Sequence, residues 1–224
     1  VSNLGRGASD YTATIIGNVL NASEIEIWTD IDGIHHNDPR YVEQTKSIQH
    51  LSFDEASELA YFGAKVLHPA SITPAQLKNI PIIIKNTMNV KSSGTIVSDY
   101  TIENGVKAIA SKDGITTIKI KSGRMMHAYG FLRRIFEVFE NYKTSVDMLT
   151  TSEISVAMTI DDTTSLSEIT KDLSRIGSVE VFQDQSIICI VGSYTKSTVS
   201  IHSIIESFDS IPIQMISFGA SKNN

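Results

Sequence analysis

The chain has one cysteine, one tryptophan and five prolines in 224 residues, and fewer basic than acidic side chains, 19 against 25. A lone cysteine, Cys189, rules out an internal disulfide and points to a reducing compartment. It sits in the apolar run 187–191, where a free thiol serves as a small hydrophobe rather than a nucleophile. The formal net charge of -6 and the scattered Lys and Arg argue against a nucleic-acid surface, which needs a clustered positive excess. No apolar run approaches the ~20 residues of a membrane span. Residues 1–4 lack the charged and apolar regions of a signal peptide. The expectation is a cytoplasmic protein with no nucleic-acid or membrane partner.

What is present fits a globular protein of two or more domains, with 41% hydrophobic and 20% charged residues. The first hundred residues alternate helix and strand, the pattern of a parallel-rich sheet covered by helices. Apolar spacing predicts a helix over 10–20 and a strand over 24–28. Ser52 and Glu55 form a capping-box signature, with Gly63 placed to end the helix that follows. Pro69 and Pro74 punctuate another helical piece, and the β-branched run 81–86 reads as a buried strand.

A polar stretch over 98–105 marks a boundary. Beyond it, Thr117 to Lys121 alternates as a strand, and Phe131, Ile135, Val138 and Phe139 form a helical stripe. Ile154, Val156, Met158 and Ile160 alternate again, Leu166, Ile169 and Leu173 return to helical spacing, and 179–182 reads as a strand. The order is βαββαβ. From Ile187 it starts over with a strand, a helix through Ile201 to Phe208 and a strand over 213–218.

Three motifs carry chemistry. The first is Gly5-Arg6-Gly7-Ala8-Ser9-Asp10, a glycine-spaced loop entering a helix with a cation and a carboxylate at its mouth. Such a loop suits an anion, and Ser9 is a preferred N-cap residue. The second is Trp28-Thr29-Asp30-Ile31-Asp32-Gly33-Ile34 with Asn37-Asp38-Pro39-Arg40. It places polar side chains just after a strand, where α/β folds present ligand contacts. The third is Phe62-Gly63-Ala64-Lys65-Val66-Leu67-His68-Pro69, in which Lys65 offers a mobile ammonium suited to phosphate. His35, His36, His50 and His68 lack the carboxylate or cysteine framework of a zinc site, and Asp30-Ile31-Asp32-Gly33 lacks a third calcium-loop oxygen. No protein-held metal is expected.

In order and spacing these motifs resemble the carboxyl-terminal half of the catalytic domain of aspartate kinases, within the amino-acid kinase family. Gly130-Phe131-Leu132, the stretch Ser145 to Val156 and the terminal Ile216-Ser217-Phe218-Gly219-Ala220-Ser221 resemble a pair of ACT domains, nearest to the single-function, lysine-sensitive type. The resemblance implies an α/β chain with three parts. A partial amino-acid kinase domain over 1–100 has a parallel-rich sheet covered by helices. Two ferredoxin-like βαββαβ ACT modules follow over 106–185 and 186–224, the second incomplete. It also implies phosphoryl transfer from ATP, with Mg2+, to the side-chain carboxylate of L-aspartate, the first step toward lysine, threonine and methionine.

By the same resemblance Arg6, Ser9 and Asp10 belong to the aspartate site, and Thr29, Asp30, His35, Arg40, Lys65 and Val66 to the nucleotide site. An amino-acid effector, L-lysine, is expected between Met125, His127, Gly130, Phe131 and Leu132 on one side and Val146, Asp147, Ser152 and Glu153 on the other. A homodimer through the ACT modules is expected. Ala8 stands where the family usually has glycine, His35 where relatives often have tyrosine, and Ala128 where a lysine-sensitive relative has a hydroxyl. The family's amino-terminal Lys-Phe-Gly-Gly stretch is missing, so the chain is expected to be a fragment, inactive as a kinase by itself. Two other readings stay open, a non-catalytic amino-acid-binding ACT module and part of a kinase fused to homoserine dehydrogenase.

Overall fold

The computed structural model describes residues 7–63, 66–100, 105–123, 129–193 and 201–219. Helix α1 (Ala8–Leu20) begins at Gly7 rather than at Ser9. Gly7 is the N-cap with φ 75°, no side chain caps the helix, and the hydroxyl of Ser9 donates to the Asp10 carboxylate at 3.1 Å within the first turn. A capping hydroxyl requires extended backbone at the cap, and here the left-handed glycine supplies the turn instead. Ala8 is helical, so its methyl costs the loop nothing in φ.

The chain divides into two units. The first takes in the described residues of Val1–Ser111 and Ile188–Ser207, with Gly219. Its sheet is built from β1 (Ile25–Thr29), β2 (His50–Ser52), β3 (Ile82–Asn86) and β4 (Thr95–Ser98) in the order β1-β3-β4-β2. β1 runs parallel to β3 and β2 parallel to β4, with an antiparallel β3–β4 contact between them. Ile25, Ile27, Ile82, Ile84 and Val97 alternate into the core. Each such side chain contributes roughly 1.5–3 kcal/mol on burial. Helices α2 (Phe53–Tyr61) and α3 (Pro69–Gln76) pack on one another, and α1 packs on α3.

The expected capping box is present at the start of α2. Ser52 Oγ accepts from the Glu55 N–H at 3.1 Å, and Glu55 Oε2 accepts from the Ser52 N–H at 2.8 Å. Glu55 is fully buried, and its carboxylate has a second task, since Lys107 Nζ lies 3.0 Å from the same oxygen.

The second unit takes in Lys112–Ile187 and Phe208–Phe218. It follows the expected βαββαβ order through β5 (Gly105–Lys121), α4 (Phe131–Asn141), β6 (Met148–Thr151), β7 (Ser155–Ile160), α5 (Leu166–Leu173) and β8 (Ser178–Ser193), with strand order β6-β7-β5-β8. β5 and β8 contribute residues to both units. Phe131, Ile135 and Phe139 of α4 and Ile169 and Leu173 of α5 pack against Ile118, Ile120, Val156, Met158 and Ile160 of the sheet. The short α6 (Ile201–Glu206) follows as expected.

The strand expected over 213–218 is absent among the described strands. Lys119 Nζ donates to Gln214 Oε1 at 2.7 Å, and Ile213, Ile216 and Phe218 stay exposed.

Two outcomes follow from these packing details. Ser52→Ala removes a made cap bond and should cost about 1 kcal/mol, whereas Ser165→Ala, at the α5 N-cap where no side-chain bond is made, should cost well under half of that. Urea unfolding measures both, and equal losses would contradict the assignment. Cys189 is 6% exposed, and burial, reinforced by the negative charge of Glu58, pushes its thiol up to about 12. The folded state therefore favours the neutral thiol. Its stabilising contribution is complete below pH ~9 and is lost as pH rises toward the folded value. Native Cys189 should resist alkylation at pH 8.5 and become reactive on unfolding, and rapid native labelling would contradict its burial.

Candidate functional site

The third motif touches the first and lines one cavity with the second. A Cβ added at Gly7 would lie 2.5 Å from the Cβ of His68, so only glycine lets the start of α1 meet the start of α3 this closely. His68 is itself the α3 N-cap, and its ring nitrogen accepts from the Ala70 N–H at 3.2 Å. At its other end the motif meets β5, where a Cβ at Gly63 would stand 2.4 Å from the Ser111 carbonyl oxygen.

Between Gly63 and the loop after β1 lies a cavity of about 340 Å³ within the first unit. Thr29, Asp30 and Ile31 line it from the end of β1, Gly33, His35 and residues 37–40 from the following loop, Leu59, Gly63 and Val66 from α2 and beyond, and Ile109, Ala110 and Ser111 from β5. All five nucleotide candidates among the described residues, Thr29, Asp30, His35, Arg40 and Val66, line this one cavity. Lys65, the sixth, lies outside the described residues.

The cavity combines an apolar wall of Ile31, Leu59, Val66, Ile109 and Ala110 with a few polar groups, the usual make-up of a small-ligand site. It sits at the carboxyl end of β1, a strand paired in parallel with β3. The carbonyl of Thr29 accepts from both the N–H and the hydroxyl of Thr87 at 2.9 Å, which fixes the turn, and Thr29 Oγ1 donates to Asp30 Oδ1 at 3.1 Å. Asp30 stays exposed and can accept from ligand hydroxyls.

Arg40 Nε donates to both oxygens of Asp38 at 3.0 Å, and its Nη2 reaches Oδ2. The hydrogen bond and the charge of Asp38 raise the guanidinium pKa further above its usual range. The remaining donors of the fork face solvent at the rim, where phosphate oxygens can be met. His35 Nε2 lies 2.8 Å from Asp32 Oδ1. A carboxylate accepts only, so that nitrogen donates. Nδ1 is buried and has no partner among the described residues.

The aspartate candidates sit elsewhere. Ser9 and Asp10 occupy the first turn of α1 and are not among the cavity lining, while Arg6 lies outside the described residues. Among the described residues no cluster of three metal-ligating side chains occurs. No helix among them is long and apolar enough to cross a membrane.

In the second unit, Met125 and His127 lie outside the described residues. Gly130 is the α4 N-cap, Phe131 is a core residue at 4% exposure, Leu132 is exposed, and Val146 packs against the core. Ser152 Oγ and Ser155 Oγ share a hydrogen bond of 2.6 Å, and Glu153 is exposed. Asp147, expected to face a ligand ammonium, already faces one. Lys112 Nζ is 3.4 Å from Asp147 Oδ1 and 2.7 Å from Asp161 Oδ2. Burial lowers the pKa of Lys112, but its hydrogen bonds and charge contacts with Asp161 and Asp147 outweigh that and raise it.

Sequence reasoning missed the β5 residues that line the cavity, because the strand was expected to begin near Thr117. The available signal was Lys107, a lone cation in an otherwise apolar stretch.

The amino acid kinase family matches residues 1–86. Over its whole length the chain is similar to aspartokinase 2, chloroplastic, of Arabidopsis thaliana, at 39% identity and across 44% of that protein. Lysine-sensitive aspartokinase 3 of Escherichia coli is 37% identical, again over the whole chain and across 52% of the relative. The crystal structure of E. coli aspartokinase III in complex with aspartate and ADP matches with a TM-score of 0.89 at 36% identity, covering 99% of this chain and 52% of that one. The chain thus spans about half the length of the curated relatives it matches.

Proposed function

We propose that this chain, similar over its whole length to aspartokinases, is the nucleotide-binding and regulatory half of an aspartate kinase. The reaction is transfer of the γ-phosphoryl group of ATP to the side-chain carboxylate of L-aspartate, in the cytoplasm. In this reading residues 1–100 complete the catalytic domain, 106–185 form the first ACT module and 186–224 begin the second. The observation that carries the proposal is the convergence of Thr29, Asp30, His35, Arg40 and Val66 on one cavity. A relative of known structure binds ADP and aspartate, which supports the same pair of ligands here.

The chemistry asks for positioning and charge neutralisation rather than a general base, because the aspartate carboxylate is already ionised near neutral pH. Asp30 accepts from the ribose, Arg40 and Lys65 meet phosphate, and the apolar wall holds the base. Arg6 grips the aspartate carboxylate through its flat fork, Asp10 receives the ammonium, and Ser9 positions the ligand at the start of α1. Mg2+ arrives with ATP and supplies neutralisation of the phosphate charge.

Lysine is the proposed effector, supported by the similarity to a lysine-sensitive relative. Its ammonium meets Glu153, exposed beside Ser152, and reaches Asp147 by displacing Lys112 toward Asp161. Its carboxylate meets the N–H groups at the start of α4. Lysine inhibits by preferring one of two conformations, in a homodimer built through the ACT modules.

In the intact kinase, Arg40→Ala or Asp30→Ala should raise the KM for ATP, and Arg6→Ala the KM for aspartate. A lost charge-assisted contact of about 1.5–3 kcal/mol corresponds to a roughly ten- to hundredfold change. The opposite pattern in steady-state kinetics would mean the two sites have been exchanged. Calorimetric titration of this chain should detect lysine but not threonine, with Glu153→Ala weakening lysine about tenfold or more. Threonine binding without a lysine response would overturn the effector assignment.

A further inference from the structure

Behind the β5 wall of the cavity lies an ion pair that ligand binding alone does not explain. The side chains of Lys107 and Glu55 are 1% and 0% exposed, with 3.0 Å between Nζ and Oε2. A buried pair is a poor stabiliser, since desolvating two charges offsets most of their attraction and a well-packed apolar pair does as well. Its value here is in what it fastens. Glu55 Oε2 also accepts from the Ser52 N–H at 2.8 Å, so the carboxylate is fixed to the first turn of α2, whose Leu59 lines the cavity.

Lys107 in turn is fixed along its backbone. His36 Nδ1 donates to the Lys107 carbonyl, and the Ile109 N–H donates to the His36 carbonyl at 2.8 Å. His35, next to that histidine, lines the cavity, as do Ile109, Ala110 and Ser111, which follow Lys107 along the strand. At the far side Ser111 presses on Gly63. The loop after β1, the start of α2 and β5 therefore meet at one knot, with Lys107 at its centre.

We infer that Glu55 and Lys107 are positioning residues for the nucleotide. They hold the first part of β5 at the spacing from α2 and from the His35 loop that a base requires. This inference rests on the reading of the cavity as the nucleotide site.

The test is the dissociation constant of MgADP, by calorimetry, together with separate KM values for ATP and aspartate, in the intact kinase. The variants are Glu55→Gln, Lys107→Met, the charge-free double Glu55→Leu with Lys107→Met, and Arg40→Ala as a control within the cavity. Misplacing the wall should weaken MgADP and raise the ATP KM about ten- to a hundredfold, with the aspartate KM nearly unchanged. Single variants leave one buried charge unpaired and can fail to fold. The double removes both charges together, and it should fold yet still bind MgADP weakly.

If the double binds MgADP as the wild type does, or if both KM values rise equally, the pair only supports the fold and the inference is overturned. If Arg40→Ala also leaves MgADP binding unchanged, the nucleotide reading of the cavity falls as well.

Discussion

Much of the first unit turns on one carboxylate. Glu55 closes the capping box of α2 and neutralises Lys107 of β5 with the same oxygen, while fully buried. A charge without water has to be matched by position, so this contact constrains where α2 starts and where β5 runs. The cavity inherits its outline from that constraint, because Leu59 and Gly63 come from the α2 side and Ile109 to Ser111 from β5.

The segment around Gly63 and His68 supplies a second constraint, of space rather than charge. Gly7 against His68 and Gly63 against Ser111 are approaches that no side chain would allow without a shift. One short motif thereby borders both the α1 start and the cavity. In the proposed reading this is how the acceptor carboxylate and the phosphoryl donor share an environment, and positioning is most of what such a transfer requires.

The sequence made the α/β character, the capping box and the βαββαβ order legible, because periodicity and caps are local properties. The family resemblance grouped Thr29, Asp30, His35, Arg40 and Val66, and these five line one cavity. Where reasoning fell short, the cause was non-local. Ser9 looked like an N-cap until the left-handed Gly7 took that place. The early part of β5 lacks a clean alternation, since Lys107 and Ala108 are both buried, and Lys107 is matched by a carboxylate 52 residues earlier. Lys112 finds Asp147 in the same way, 35 residues away. The segment 213–218 has the composition of a strand but is not among the described strands, and composition alone does not make one.

The central claim is that a nucleotide is held between the loop after β1 and the early part of β5. Amide hydrogen exchange of the intact kinase, with and without MgADP, tests it most directly. The account predicts slowed exchange over residues 29–40 and 107–111, with α1 little affected by nucleotide alone. Protection confined to α1, with no change at 107–111, would contradict it.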